Sequence, residues 1–194
     1  MEINSSTNFH NENLTETSIL SSFYCGIEEM DSFIHGALQS TITANACKAF
    51  CLYAEDEIVA IYAMNFDSLI LKTQEAYDLL HRDKEPIDIK LEYEDIFKSE
   101  QSHPALEISY LAVRNDCQIK KLGTLIVDHI IEEVKSQTLG GCQFITVSAY
   151  DTPKYSAVGF YEKCGFTKTS GGGNDSVRMF RPLFTLPDDY FDIQ

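Results

Sequence analysis

The feature that most constrains the fold is the stretch from Glu107 to Thr124, where a strand pattern passes through a polar loop into a helix. The apolar, β-branched run from Ala105 to Val113 is typical of a buried strand, and Asn115-Asp116 ends it. A long apolar helical pattern begins near Leu122. The first amides of a helix have no internal partners, and the helix dipole favours negative charge there. The stretch therefore predicts a phosphate-binding site.

Positive charge gathers at this loop, on Arg114, Lys120 and Lys121, in a chain whose net charge is 15 − 30 = −15. This local reversal of sign supports an anionic ligand. The acidic remainder argues against nucleic acid as a partner, because that affinity depends on Lys and Arg neutralising phosphates. An acidic surface attracts amines, polyamines or basic peptides instead, or it serves only to keep the protein in solution.

The sequence predicts a cytoplasmic protein without a membrane segment or a metal site. The amino-terminal residues are polar and lack a secretory pattern, and no apolar run is long enough to span a bilayer. Cys47 and Cys51 lie four residues apart, but no second Cys pair or His completes a zinc site. The six cysteines are expected to be thiols rather than disulfides.

The periodicities predict an α/β chain with a mixed sheet around a right-handed βαβ unit. The elements expected before the central strand are a strand around Asn8 to Leu14, a helix over Ile27 to Leu38, and a hairpin of Ala44 to Ala54 with Ile58 to Phe66. Those expected after it are a helix from Leu122 to about Leu139, a strand over Phe144 to Ala149, a helix from Pro153 to Cys164, and a hairpin of Phe166 to Thr169 with Val177 to Leu183 around glycines 171–173.

The length predicts a single domain over residues 1–194 with one substantial core. The core is expected over about residues 20–184, with 1–19 and 185–194 peripheral. Residues 73–104 are acid-rich and form an excursion before the central strand. This excursion is either a solvated insertion or a border of the acceptor site.

Three segments together resemble the GCN5-related N-acetyltransferase (GNAT) superfamily over roughly residues 20–184. They are Leu111-Ala112-Val113, Gln118-x-x-x-x-Gly123 and Phe160-Tyr161-Glu162-Lys163-Cys164-Gly165-Phe166. The resemblance implies a mostly antiparallel mixed sheet with a central βαβ unit and a splayed strand pair. It also implies an acyltransferase that uses acetyl-CoA as cosubstrate and acetylates an amine. The superfamily often forms dimers, so a homodimer is one alternative for the assembly.

The resemblance places the pyrophosphate of acetyl-CoA on the loop and helix start, and the pantetheine arm along the end of the strand. The implied cofactor-binding residues are Leu111, Ala112, Val113, Gln118, Ile119, Lys120, Lys121, Leu122, Gly123 and Thr124. Gln118 and Gly123 match the family pattern Q/R-x-x-G-x-G/A, but Lys121 stands where that pattern has its earlier glycine. Glycine there permits close backbone approach, so the lysine either binds a phosphate as a point charge or points into solvent.

Two catalytic residues are implied. Tyr161 matches the family's tyrosine near the cofactor sulfur, where it would protonate the departing thiolate; the alternative is a core aromatic beside Phe160. Glu107 has the spacing of the catalytic glutamate in the histone-acetylating branch, where a carboxylate takes a proton from the acceptor ammonium. Its alternative is a strand-end carboxylate facing solvent.

A second resemblance lies upstream, where Phe23 to Ile34 is similar to the F-x-C-G-x-x-x-L-D-x-F-L opening of a GNAT subgroup that includes toxins. Those toxins acetylate the amino group of aminoacyl-tRNA and need a basic face. The leading hypothesis is direct acetyl transfer to a primary amine of a small molecule or peptide. The alternatives are a toxin acting on aminoacyl-tRNA and a non-catalytic CoA-binding or protein-interaction module. The toxin hypothesis would be favoured by a basic stripe assembled in space from Arg114, Lys120, Lys154, Lys163, Lys168, Arg178 and Arg181.

Overall fold

The computed structural model describes residues 9–71, 102–118, 121–137 and 140–183. The chain divides into two compact units, the first with residues 1–66 and 107–132 and the second with residues 67–106 and 133–194. The single domain over residues 1–194 stays a prediction. Most of the predicted 73–104 excursion lies outside the described residues.

Seven strands and four helices make up the described ranges. Their bounds are β1 (Phe9–Leu14), α1 (Glu28–His35), α2 (Leu38–Thr43), β2 (Lys48–Ala54), β3 (Glu57–Leu69), β4 (His103–Val113), α3 (Leu122–Ser136), β5 (Phe144–Tyr150), α4 (Val158–Lys163), β6 (Thr167–Gly173) and β7 (Ser176–Pro182). Short 3-10 turns span Thr17–Leu20 and Asn115–Cys117.

The strands form one sheet in the order β1-β2-β3-β4-β5-β7-β6. β1, β2 and β3 pair antiparallel in sequence, and β7 pairs antiparallel with both β5 and β6. Between β4 and β5, the Gln143 amide donates to the Pro104 carbonyl and the Thr146 hydroxyl donates to the Leu106 carbonyl. These contacts advance together along both strands, as in a parallel pair. The predicted mixed, mostly antiparallel sheet with a central βαβ unit is confirmed.

The apolar stripe of α3 confirms the helical pattern with one correction. Leu122, Ile126 and Ile130 are each 1% exposed. Leu125, predicted to lie on the same stripe, is 56% exposed. At 100° per residue its side chain projects well away from the centre of the buried face, which Val127 also occupies.

The predicted helix over Ile27 to Leu38 is two helices rather than one, because α1 ends at His35 and α2 begins at Leu38. The amides of Gly36 and Ala37 both donate to the Phe33 carbonyl, which tightens the last turn of α1. Glycine is a poor residue for a helix interior, so the break falls where it stands.

The helix predicted to start at Pro153 begins instead at Val158. The Thr152 amide donates to the Tyr155 carbonyl at 2.8 Å, and the Tyr155 amide donates to the Thr152 hydroxyl at 3.2 Å. A hydroxyl that bonds nearby backbone competes with the first helical turn, so this segment closes as a tight turn.

The last hairpin also differs from the prediction in its turn. Gly171, Gly172 and Gly173 belong to β6, and the chain reverses at Asn174-Asp175. A Cβ added to Gly172 would lie 2.7 Å from the Ser176 carbonyl, so close backbone approach explains this glycine. No helix in the described ranges is long and apolar enough to cross a membrane.

Phe144 and Phe66 offer a matched test of the core. Phe144 is fully buried and meets His103 and Phe180 edge-on, whereas Phe66 is 88% exposed. We expect Phe144→Ala to lower the free energy of unfolding by about 3–5 kcal/mol, because it leaves a cavity. Phe66→Ala should change it by less than about 0.5 kcal/mol. Urea unfolding measures both, and equal losses would contradict the described packing.

Candidate functional site

The predicted cofactor residues lie in succession at the end of β4, in the following loop and in the first turn of α3, all in the first unit. Ala112 is buried, whereas Leu111 and Val113 are half-buried. Leu122 is buried and anchors the helix start, with Gly123 and Thr124 half-buried beside it. Ile119 and Lys120 lie outside the described residues.

Arg114 uses its guanidinium to hold the loop. It pairs with Glu57 at 2.7 Å and with Asp116 at 2.6 Å, and it donates to the Ile58 carbonyl at 3.0 Å. The two carboxylates raise the pKa of Arg114, and the guanidinium lowers the pKa of Asp116. The sequence suggested that Arg114 would face an anionic ligand, but its guanidinium is instead paired with carboxylates of the protein itself.

Gln118 makes a second anchor for the loop. Its side-chain nitrogen donates to the Cys25 carbonyl at 2.7 Å and to the Val113 carbonyl at 3.0 Å. An amide nitrogen carries two protons, so both donors of Gln118 bond to protein carbonyls. A phosphate needs donors, and its contacts would have to come from other groups of the loop. The assignment of Gln118 as a cofactor-binding residue stays a prediction.

Lys121 is exposed and has a φ of 80°, in the left-handed region that glycine adopts without cost. The glycine position of the family pattern thus keeps the backbone conformation of a glycine although a lysine occupies it. The first hydrogen bond of α3 begins here, from the Leu125 amide to the Lys121 carbonyl at 2.9 Å. The sequence alone could not show that the conformation survives the substitution.

An apolar cavity lies between α1 and the sheet in the first unit. Its volume is only about 10 Å³, and its lining includes Met30, Phe33 and Ile34 of α1. That is room for about one water molecule. The Phe33 ring stacks on Tyr110 of β4, with centroids 3.8 Å apart and an angle of 4° between the planes. Burial, followed by the charges of Cys47 and Glu107, raises the pKa of Tyr110.

Glu107 is half-buried within β4. The sequence placed it at the start of the apolar strand, but the strand begins four residues earlier, at His103. The side chain belongs to the first unit. Its catalytic role stays a prediction.

Tyr161 belongs to the second unit and is 6% exposed. Its ring meets Phe160 and Phe166 edge-on, with centroids 4.9 Å and 5.4 Å away. Burial first, and then Tyr155 and Cys164, raises the pKa of Tyr161 above its ordinary value. A phenol in this state keeps its proton at neutral pH, as a general acid requires. The same ring contacts also suit a core aromatic, the alternative that the sequence left open.

The cysteines do not favour a mechanism in which a thiol carries the acetyl group as a covalent intermediate. Burial, followed by Asp116, raises the pKa of Cys117, and burial raises the pKa of Cys25 to about 11. A thiol is a nucleophile only as the thiolate, so these groups are poor acyl carriers. None of the six cysteines forms a disulfide. Among the described residues, no cluster of three or more His, Cys, Asp or Glu could hold a metal ion.

Several cations that a basic face would need are already paired within their own units. Arg178 forms an ion pair with Asp67, and Lys168 forms one with Glu162 at 2.9 Å. Arg181 donates to the Cys164 carbonyl at 2.7 Å. Arg114, Lys168 and Arg178 are thus each paired with a carboxylate, whereas Arg181 is bonded to a neutral carbonyl and keeps its positive charge.

Comparisons with solved structures return toxins of this fold. A bacterial toxin is 18% identical with a TM-score of 0.66, and the match covers 91% of this chain and 92% of that one. A Tyr-to-Phe mutant of the toxin AtaT is 20% identical with a TM-score of 0.64 and 94% coverage of both chains. AtaT complexed with acetyl-methionyl-tRNAfMet is 19% identical with a TM-score of 0.63, covering 90% and 95%. At these identities the likeness shows the fold alone.

A search of curated proteins finds no match. The model of the acetyltransferase (GNAT) family matches residues 17–166, most of the chain. The predicted resemblance, the acyltransferase class and acetyl-CoA as cosubstrate are thereby confirmed. The chain belongs to the acetyltransferase (GNAT) family.

Proposed function

We propose that the protein transfers an acetyl group directly from acetyl-CoA to a primary amine of a cationic small molecule or peptide, in the cytoplasm. The observation that carries this proposal is the φ of 80° at Lys121, which preserves the glycine conformation of the cofactor loop. The net charge of −15 supports a cationic acceptor. The solved structure of AtaTR bound with AcCoA, 21% identical to this chain, is consistent with the same cosubstrate.

The first turn of α3 would bind the pyrophosphate through the amides of Leu122, Gly123 and Thr124. The exposed Lys121 ammonium would add a point charge. Along β4, the backbone of Leu111 to Val113 would hold the pantetheine arm, and a strand amide of Leu111 or Ala112 would polarise the thioester carbonyl. Much of the rate enhancement would come from holding amine and thioester in position.

Two side chains would move protons. Glu107 would take a proton from the acceptor ammonium, directly or through a water, so that the neutral nitrogen attacks the thioester carbon. As the carbon–sulfur bond breaks, Tyr161 would donate its proton to the thiolate of CoA. The match of residues 160–166 to the family motif supports this assignment, and the raised pKa of Tyr161 means only that the phenol still carries its proton when the thiolate leaves.

The second candidate is a toxin that acetylates aminoacyl-tRNA. The likeness to AtaT, which has been solved in a complex with acetyl-methionyl-tRNAfMet, favours it. The ion pairs of Arg114, Lys168 and Arg178 weigh against it, because paired cations contribute little to phosphate binding. A non-catalytic module is the third candidate, and the loop conformation at Lys121 argues against it.

Cofactor binding and acceptor class can be tested on the purified protein. Acetyl-CoA at a hundredfold its Kd should raise the Tm by roughly 5 °C or more, because it binds the native state. Acetylpantetheine, which lacks the pyrophosphate, should have a much smaller effect. Transfer of radiolabelled acetyl to polyamines or lysine-rich peptides, with no label on aminoacyl-tRNA, is the expected outcome. Label on aminoacyl-tRNA alone would establish the second candidate instead.

Tyr161→Phe should lower kcat by about 10²-fold or more and leave KM nearly unchanged, because the hydroxyl acts only as the thiolate leaves. Tyr53→Phe, the same deletion on β2, is the control and should retain full activity. The role requires the protonated phenol, so its contribution is present at neutral pH and is lost only as pH rises through the raised pKa. A wild-type kcat in Tyr161→Phe would remove the assigned role.

Replacing Lys121 separates its charge from its backbone conformation. Lys121→Ala removes the charge and keeps the strain, whereas Lys121→Gly removes both. A non-glycine residue in the left-handed region costs roughly 1–2 kcal/mol, and glycine loses about 0.5–1 kcal/mol more chain entropy. We therefore expect the glycine variant to exceed the alanine variant in free energy of unfolding by about 0.5–1 kcal/mol in urea titrations. A more stable alanine variant would contradict the described loop.

A further inference from the structure

The turn at Tyr24-Cys25-Gly26 is held from two sides. Asp31 of α1 accepts hydrogen bonds from the Cys25 amide at 2.7 Å and from the Gly26 amide at 3.0 Å. From the cofactor loop, Gln118 donates to the Cys25 carbonyl at 2.7 Å. The Asn115 amide donates to the Tyr24 carbonyl at 2.8 Å. The turn thus lies between the start of α1 and the loop that follows β4.

Gly26 makes this position of the turn possible. Its φ is 84°, and a Cβ there would lie 3.3 Å from the Asn115 side-chain oxygen. A larger residue would be strained in its backbone and would also press on the cofactor loop. Two features of the upstream motif therefore have a structural explanation. Gly26 allows the turn to pass close to Asn115, and Asp31 accepts hydrogen bonds from the Cys25 and Gly26 amides.

α1 is attached to the same strand a second time. Phe33 stacks on Tyr110 of β4, and Phe33 and Met30 form part of the wall of the apolar cavity. The turn before α1 therefore meets the loop after β4, and Phe33 near the carboxyl end of the helix meets β4 itself. A change in the order of the loop would therefore affect both the turn before α1 and the contact of Phe33 with Tyr110, because these groups are packed or hydrogen-bonded to one another.

We propose that Asp31 and Gln118 are positioning residues that couple the cofactor loop to α1, so that acetyl-CoA binding orders the turn and the cavity wall. The inference rests on the proposed binding of acetyl-CoA by the loop. Carboxylate hydrogen bonds to backbone amides are the stronger kind, so Asp31 fixes the turn. Coupling is reciprocal, so disordering the turn must weaken acetyl-CoA binding by up to the factor by which the cofactor shifts the ordering of the turn.

Asp31→Asn tests the coupling, because Asp31 contacts the turn and has no hydrogen bond to the loop among the described residues. The substitution replaces one acceptor oxygen with a donor that faces an amide. The control is Glu29→Gln, which makes the same charge change at an exposed position of the same helix. By isothermal titration calorimetry, Asp31→Asn should raise the Kd for acetyl-CoA about five- to tenfold, and Glu29→Gln should leave it within about twofold. Equal Kd values in the two variants would overturn the inference.

Two further measurements keep the outcome independent of any folding defect. Gln118→Ala should also raise the Kd for acetyl-CoA. Because both residues act through one turn, the double variant should raise the Kd by less than the product of the two single fold-increases. Strictly multiplicative effects would overturn the coupling. In the wild-type protein, acetyl-CoA should slow hydrogen exchange at the Cys25 and Gly26 amides. Slower exchange confined to the start of α3 would overturn this inference alone, whereas a wild-type protein that does not bind acetyl-CoA would overturn the proposed function with it.

Discussion

A loop that offers unpaired helix amides to an anion must be held in place by its other groups. Here the holding contacts come from the side chains on either side of the loop. The Arg114 guanidinium binds the start of β3, and the Gln118 amide binds the turn before α1. Among the described residues these contacts engage the Arg114 guanidinium and the Gln118 amide with acceptors of the protein itself, so a phosphate would be met by the backbone amides of the first turn of α3 and by the Lys121 ammonium. The position of the loop, rather than its net charge, is therefore what supports the proposed cofactor site.

The net charge of the protein argues against the kind of acceptor that its structural neighbours suggest. Solved toxins of similar fold include one complexed with acetyl-methionyl-tRNAfMet. In this chain, acidic residues outnumber basic ones two to one, and several arginines and lysines are paired with carboxylates. Similar backbones can carry opposite surface potentials, because surface charge contributes little to the choice of fold. The acceptor is therefore better argued from the surface than from the neighbours.

Much of the fold could be predicted because its elements have clear local signals. The apolar runs of β4 and β5 and the stripe of α3 decide their own structure through periodicity. The break after His35 and the start of α4 were missed, since each depends on local hydrogen bonds that compete with a helical turn. Prediction of α3 was wrong at its end, which is Ser136 rather than about Leu139, and at Leu125, where counting apolar residues did not establish which face was buried.

The site was predictable in position but not in detail. The loop, Lys121 and Tyr161 follow from a family pattern that the sequence displays. The roles of Arg114 and Gln118 do not, because Arg114 meets Glu57 and Gln118 meets Cys25 across long stretches of chain. A backbone angle such as the φ of Lys121 is likewise invisible in a sequence, since lysine itself disfavours it.

The burial of the thiols has a practical consequence for measuring this enzyme. Acetyl transfer releases the thiol of CoA, which a chromogenic disulfide reagent can detect as it forms. Five of the six cysteines are buried and only Cys142 is half-buried, and burial raises the pKa of Cys51 to about 12. Such side chains react slowly while the protein is folded. A continuous assay would therefore record turnover against a low background, and a rise in that background would itself report unfolding.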